Sequence, residues 1–147
     1  MSIFYELPLD LRERWWSANT LTEREAVETE FRDLKTAEVP VQYAPDYREA
    51  LDMLDSSLWD PLKNGLIDQG DTVHEVLKSY VAACAETERL ETEFYEHNEA
   101  WGTACVPNTD TKRVAEYWEG YGRLKNDIHY AKIHEQVMHD ELVNLIQ

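Results

Sequence analysis

The fold of this chain is decided by residues 71–101, which read DTVHEVLKSYVAACAETERLETEFYEHNEAW. In this stretch a first row of side chains repeats every seven residues: Val73, Tyr80, Thr87, Phe94 and Trp101. A companion row contains Val76, Ala83, Leu90 and His97. A mostly apolar seven-residue repeat is typical of a helix that packs along a second helix. Asp71 followed by Thr72 and Glu75 supplies the capping chemistry that starts such a helix.

The second arm of the pattern is residues 110–147. One row there contains Val114, Tyr121, Ile128, Glu135 and Leu142, and the row beside it contains Tyr117, Leu124, Ala131, Met138 and Leu145. Between the arms, Gly102 to Asn108 includes Pro107 and breaks the helical pattern. The sequence therefore predicts a long antiparallel hairpin with arms of roughly 40–50 Å. Gly120 and Gly122 predict a kink or break in the second arm, because glycine weakens a helix.

Two earlier helices are predicted before the hairpin. Thr20 and Glu23 form a capping box, and the helix that follows places Val27, Phe31 and Leu34 on one face before ending ahead of Pro40. Residues 39–44 are predicted to be an extended connector. A further helix begins near Asp46, and its apolar stripe consists of Tyr47, Ala50, Leu51, Leu54 and Leu58. The stretch from Pro61 to Gly70 is predicted to be rich in turns.

The predicted fold class is all-α, a compact helical bundle built on the hairpin of roughly 71–101 and 110–147. The two earlier helices are expected to pack across that hairpin. Residues 1–147 are expected to form one acidic helical domain, because single cores commonly span about 100–200 residues. Hydrophobic residues make up 43% of the chain, which is sufficient for a packed core.

Charge is the strongest functional signal in the sequence. The chain has 30 acidic and 14 basic side chains, and its formal net charge is -16. A folded surface this negative repels phosphates and attracts basic surfaces. No apolar run reaches the roughly 20 residues that span a bilayer, and the first residues lack the pattern of a signal peptide. With Cys84 and Cys105 far apart, we expect a reducing cytoplasm, with one buried thiol and one thiol in a loop.

Neither a metal site nor a catalytic site is predicted. Glu93 with His97, and Glu135 with His139, are each four residues apart, whereas di-metal bundles use a Glu-x-x-His spacing of three. If the hairpin folds back near residue 106, His97 lies opposite a position near 115 and Glu135 opposite one near 77. The two pairs would then lie roughly 30 Å apart. Glycine-rich phosphate loops and GxSxG elbows are absent from the sequence, so no cofactor or catalytic residue is assigned.

Glu91 and Glu135 fall on or beside the apolar stripes of their helices. A carboxylate in that position needs a hydrogen bond, or its pKa rises. Tyr121 lies roughly opposite Glu91 in the assumed register and is a candidate donor. The favoured interpretation is a structural polar contact or a residue that sets the register of an oligomer.

Acidic side chains also form rows along two predicted helices. The predicted partner-binding residues are Asp46, Glu49, Asp52, Asp55, Asp60, Glu86, Glu93 and Glu96. Glu88 and Glu99 lie close to the second row. Such rows can imitate the phosphates of DNA, which recur about every 3.4 Å along one strand. Two other interpretations of the same rows are a solvated helix face and adaptation to high salt.

The predicted function is a non-enzymatic inhibitor that occupies the basic nucleic-acid-binding groove of a partner protein. It would be a DNA mimic of the anti-restriction or anti-CRISPR type, acting in the host cytoplasm if the protein is viral, without contacting nucleic acid or membrane. Exposed aromatic residues would anchor the contact, and Trp15 with Trp16 is a candidate anchor. The alternative is a helical oligomerisation protein that dimerises through the heptad helices.

Overall fold

A computed structural model describes residues 7–147. Within them the chain forms six α-helices and no strand, which confirms the all-α prediction. The helices are α1 (Leu9–Ser17), α2 (Leu21–Ala37), α3 (Ala44–Met53), α4 (Trp59–Gln69), α5 (Asp71–Ala104) and α6 (Thr111–Ile146), with a 3₁₀ turn at Ser56–Leu58. Residues 1–6 lie outside the described part of the chain, and they are part of the segment on which the signal-peptide expectation rests.

The chain divides into two compact units, which we describe separately. Unit 1 comprises Met1–Lys78 and Leu142–Gln147, and unit 2 comprises Ser79–Glu141. The core of unit 1 contains apolar side chains from each of its helical segments, among them Leu11, Phe31, Tyr47, Leu51, Leu62, Leu66, Leu77 and Leu142. The expectation of a single domain stays a prediction.

The start of α2 confirms the predicted capping box. The Glu23 amide donates a hydrogen bond to Thr20 Oγ1 at 3.1 Å, and the Glu23 carboxylate accepts one from the Asn19 amide at 2.7 Å. These bonds satisfy backbone donors that have no partner inside the helix. Val27 and Phe31 are buried as predicted, but Leu34 is 53% exposed, so its assignment to the buried face was wrong.

Two local predictions in unit 1 are wrong. The predicted extended connector at residues 39–44 is a turn, in which the Tyr43 amide donates to the Pro40 carbonyl oxygen at 2.9 Å. The stretch from Pro61 to Gly70, predicted to be rich in turns, contains most of α4. Pro61 lies in the first turn of α4, where its missing N–H is not needed. Gly65 is buried, and a Cβ there would lie 3.0 Å from Ile146 Cγ2, so close packing explains this glycine.

Unit 2 confirms the antiparallel hairpin. Along it, residues of α5 meet residues of α6 in opposite order: Trp101 stacks on Tyr117 with centroids 4.6 Å apart, Phe94 packs on Tyr121 at 5.1 Å, and Tyr80 packs on His139 at 5.8 Å. The two-helix seam therefore contains aromatic pairs rather than aliphatic side chains alone.

The register of the hairpin differs from the predicted one. His97 stacks on Tyr117, which is close to the predicted position near 115, whereas Glu135 faces Cys84 and not a residue near 77. The physical reason is that α5 continues through Gly102 to Ala104, and Cys105 then ends it with a φ of 51°. The connection between the two helices, residues 105–110, is thus centred beyond residue 106, where the chain was predicted to fold back.

The predicted break at Gly120 to Gly122 is also absent, since α6 is one uninterrupted helix from Thr111 to Ile146. Gly120 instead allows a close approach, because a Cβ on it would lie 2.6 Å from His97 Cε1. The His97 ring is fixed in place by parallel stacking on Tyr117, and its Nε2 lies 3.0 Å from the Tyr117 carbonyl oxygen. Gly122 has open space around its Cα.

Candidate functional site

The first predicted acidic row lies in unit 1, on α3 and the segment that follows it. Its members are Asp46, Glu49, Asp52, Asp55 and Asp60. Two of them form ion pairs with cations of α2: Arg32 Nε lies 3.0 Å from Asp52 Oδ1, and Lys35 Nζ lies 3.2 Å from Asp60 Oδ1. Exposed pairs of this kind add little stability, but each one places a positive charge beside the carboxylate.

Two other members of the row have local partners. His74 Nε2 lies 2.6 Å from Asp46 Oδ2. Asp55 caps the 3₁₀ turn, accepting a hydrogen bond from the Ser57 amide at 2.9 Å, and this bond lowers the pKa of Asp55. Glu49 is exposed and makes no hydrogen bond or ion pair with the described residues. The field of the α3 row is therefore weaker than its sequence suggests.

Other acids of unit 1 follow the same pattern. Arg48 pairs with Asp33 at 3.3 Å, and Lys63 pairs with Glu38 at 2.8 Å. Lys63 also lies 3.8 Å from Asp60, which already contacts Lys35. Much of the positive charge of unit 1 thus forms ion pairs with carboxylates of the same unit.

The second predicted row lies on α5 in unit 2 and is less neutralised. We define the acidic face of α5 by five carboxylates: Glu86, Glu88, Glu93, Glu96 and Glu99. One cation lies among them, because Arg89 contacts Glu86 at 2.6 Å and Glu93 at 3.2 Å. The hydrogen bond from Arg89 lowers the pKa of Glu86. Glu88, Glu96 and Glu99 are exposed and pair with none of the described residues.

Small side chains separate the carboxylates of this face. Ala85 and Thr92 lie in a shallow groove whose lining also contains Arg89 and three carboxylates, Glu88, Glu93 and Glu96. Eight residues of helix put the backbones of Glu88 and Glu96 about 12 Å apart along the axis. Tyr95, on the same helix, is 65% exposed. The face combines unpaired carboxylates with an exposed aromatic ring, the pairing expected of a surface that binds a basic partner.

A second feature of unit 2 is a cleft of about 500 Å³ between α5 and α6, which we call the Glu135 cleft. The buried side chains of Tyr80, Cys84 and Thr87 form its floor. Its wall on α6 includes the half-buried Glu135 and His139. Small and polar side chains occupy the seam at this level, so the two helices leave space between them.

Glu135 has a weak hydrogen-bond donor. Cys84 Sγ donates to Glu135 Oε1 at 3.3 Å, and this is the one hydrogen bond that Glu135 makes with the described residues. Burial raises the pKa of the Cys84 thiol to about 11, so the thiol keeps its proton at neutral pH. A protonated thiol is a poor nucleophile, which argues against a catalytic role for Cys84. The expectation of one buried and one exposed thiol is confirmed, since Cys105 is exposed.

The two carboxylates that the sequence singled out have different environments. Glu91 is about half exposed and pairs with Lys132, whose Nζ lies 3.4 Å from Glu91 Oε1. Tyr121, the predicted donor to Glu91, packs on Phe94 instead, so that prediction was wrong. Glu135 makes the buried polar contact that the sequence predicted, but with Cys84, which was not foreseen.

The histidine and glutamate pairs do not converge in unit 2. His97 lies against Tyr117, whereas His139 lies against Tyr80 at the other end of the hairpin. No group of three or more metal-binding side chains comes together within residues 7–147.

The two members of the candidate aromatic anchor, Trp15 and Trp16, differ in exposure. Trp16 is 74% exposed. Trp15 is half-buried, and the Arg24 guanidinium lies 4.6 Å from the centroid of its ring. Trp16 is therefore the more exposed member of the pair.

Comparison with protein-family models, with curated proteins and with solved structures found no significant match. None of the described helices is both long enough and apolar enough to cross a membrane.

Proposed function

We propose that this protein is a non-enzymatic inhibitor that binds the basic nucleic-acid-binding groove of a partner protein. The observation that carries the proposal is the acidic face of α5, where five carboxylates have one arginine among them and that arginine contacts two of the five. Its action is competition, because a groove lined by Lys and Arg attracts these carboxylates as it attracts phosphates. The class is that of DNA mimics, of the anti-restriction or anti-CRISPR type, acting in the cytoplasm.

The α5 face supports this proposal better than the α3 row does. Asp52 and Asp60 already contact Arg32 and Lys35, so a basic partner would have to compete with those cations. Glu88 and Glu96 have no such competitor among the described residues. Exposed Tyr95 beside them can provide apolar contact area at the centre of the interface.

Electrostatic attraction would govern the kinetics of the complex. Long-range attraction speeds association at low salt, and the effect declines as the Debye length falls to about 10 Å at 0.1 M salt. A partner that handles nucleic acid supplies the complementary positive field.

A capture experiment tests the proposal. The full chain is immobilised, exposed to a lysate, and eluted with duplex DNA or, in a parallel sample, with a neutral polymer of equal mass. We expect DNA, but not the polymer, to release the captured proteins, and mass spectrometry to identify them as nucleic-acid-binding proteins. Captured proteins that do not bind nucleic acid, or that DNA fails to release, would contradict the proposal.

One observation favours the alternative of a helical oligomerisation protein. Tyr130, Ile133 and Val137 lie along one face of α6 and are 62%, 48% and 52% exposed. A second copy could cover this row. Sedimentation velocity at several salt concentrations separates the two functions, because an apolar dimer persists in high salt whereas the proposed inhibitor remains a monomer under all conditions.

A further inference from the structure

The Glu135 cleft lies beside the acidic face of α5. Glu88 belongs to both features, since it borders the groove of that face and also lines the cleft. A basic side chain that binds beside Glu88 on the acidic face can therefore also reach the cleft.

The charges that line the cleft favour a cation. Glu88, Glu91 and Glu135 contribute three carboxylates, against which Lys132 is the one Lys or Arg in the lining. Lys132 is already engaged by Glu91 at 3.4 Å. The electrostatic potential is thus negative where Glu135 lines the cleft.

Glu135 is also poorly satisfied. A carboxylate can accept about four hydrogen bonds, yet within the described residues Glu135 accepts one, from a thiol that is a weak donor. A half-buried carboxylate with so little compensation gains from a charged donor, because hydrogen bonds between ionised groups are roughly twice as strong as neutral ones. A planar donor with several N–H groups would fit this site best.

Two aromatic rings in the lining of the cleft, one on its floor and one on its wall, are suited to a planar cation. Tyr80 and His139 place two rings 5.8 Å apart at an angle of 59° beside the carboxylates. A guanidinium group stacks on aromatic rings and also donates paired hydrogen bonds to a carboxylate, which an ammonium group cannot do in the same geometry. The cavity of about 500 Å³ is large enough for one such side chain.

We propose that the Glu135 cleft binds an arginine side chain of the basic partner, with its guanidinium between the Glu135 carboxylate and the Tyr80 ring. This inference rests on the proposed function and deepens it, because it assigns one specific contact within an otherwise diffuse electrostatic surface. This arginine belongs to the partner's groove. It would bind a phosphate when the partner binds nucleic acid, and it would bind in the cleft when the partner binds this protein.

The test uses the full chain, labelled with ¹⁵N, and a capped Gly-Arg-Gly peptide as the probe. The matched control peptide contains citrulline, which has nearly the shape of arginine but no charge. We expect the arginine peptide to shift the amide signals around Cys84 and Glu135, and the citrulline peptide to leave them unchanged. Equal shifts with both peptides, or shifts confined to residues outside the cleft, would overturn the inference.

Variants then separate a specific site from general attraction. Glu135→Gln keeps the shape of the side chain and its contact with Cys84, and we expect it to lower the affinity for the arginine peptide about tenfold or more. Glu119→Gln makes the same change in net charge at an exposed position of α6, about 24 Å along the helix from Glu135, and should lower the affinity less than about twofold. Lys132→Gln removes a competing cation and should raise the affinity. Equal losses for the two glutamine variants would contradict a specific site.

Two further measurements identify the source of the guanidinium. Capture of the partner should be weakened more by Glu135→Gln than by Glu119→Gln. If free agmatine binds the cleft but capture is insensitive to Glu135→Gln, the ligand is a small guanidine and the proposed protein contact is wrong. If the arginine peptide enters the cleft while captured proteins are not released by DNA, the cleft stands and the inhibitor function fails.

Discussion

Reversing the charge of Glu88, Glu96 and Glu99 together to lysine is expected to weaken the complex with the captured partner about a thousandfold. Like charges facing each other across an interface cost several kcal/mol, and each factor of ten in affinity corresponds to about 1.4 kcal/mol. All three side chains are exposed and have no ion pair with the described residues, so their reversal removes no internal contact seen there. Surface plasmon resonance with the purified partner at 0.1 M salt measures the loss.

The control for this variant reverses three exposed acids of unit 1, Glu13, Glu25 and Asp68, and so has the same net charge. We expect it to lose less than about tenfold in affinity, because none of these three residues belongs to the acidic face of α5 and exposed charges outside a contact are weakened by salt screening. Equal losses in the two triple variants would mean that total charge, and not the α5 face, governs binding. A separate variant, Asp52→Lys with Asp55→Lys, tests the α3 row, and an unchanged affinity would remove that row from the site.

Replacing each glycine of α6 by alanine is expected to have opposite effects on stability. Gly122→Ala should raise the free energy of unfolding by about 1 kcal/mol, since alanine is the better helix former and the added methyl group meets no atom within 4 Å. Gly120→Ala gains the same helix propensity, but its methyl group would overlap the His97 ring. Overpacking costs about 1–3 kcal/mol, so we expect a net loss of about 1 kcal/mol.

Urea denaturation of the two variants measures this difference of about 2 kcal/mol. The pair is well matched, because the two sites lie two residues apart in the same helix and receive the same substitution. A double variant, Gly120→Ala with His97→Ala, should recover part of the loss if the contact with His97 is the cause. Equal stabilisation by both single variants would show that α6 does not approach His97 closely.

The helical hairpin could be predicted from the sequence because its information is local. Seven-residue repeats such as Tyr80, Thr87 and Phe94 are visible in one chain, and so is the capping box at Thr20 and Glu23. The register could not be predicted to the residue, because it depends on where α5 ends. The helix passes through Gly102 to Ala104, and that extension moves Cys84 opposite Glu135.

The roles of the glycines also depend on tertiary contacts, so they could not be predicted from the sequence. Gly120 reads as a helix breaker when propensity alone is considered, whereas its use is to admit the His97 ring. This close contact forms only when α5 packs against α6. Likewise, Pro61 and Gly65 suggested a turn, although one lies in the first turn of α4 and the other packs against Ile146.

The candidate site was predicted in part. The acids of both rows can be read from the sequence, and so can the pairs of Arg89 with Glu86 and Glu93, which are local to α5. The ion pairs of the first row with Arg32 and Lys35 depend on tertiary packing. The Glu135 cleft was missed for the reason that the register was missed. One signal could have indicated it: Cys84 and Thr87 are small or polar side chains within the α5 seam, and Glu135 interrupts the seam of α6.

The measurement that tests the central claim most directly is a competition between this protein and DNA for the same partner. A fluorescently labelled duplex is bound to the purified partner, and its anisotropy is followed as the full chain is added at 0.1 M salt. If the carboxylates of α5 occupy the basic groove, the anisotropy falls to the value of free DNA, and the triple lysine variant fails to lower it. An anisotropy that rises, as a ternary complex forms, would contradict the claim that this protein and DNA bind the same groove.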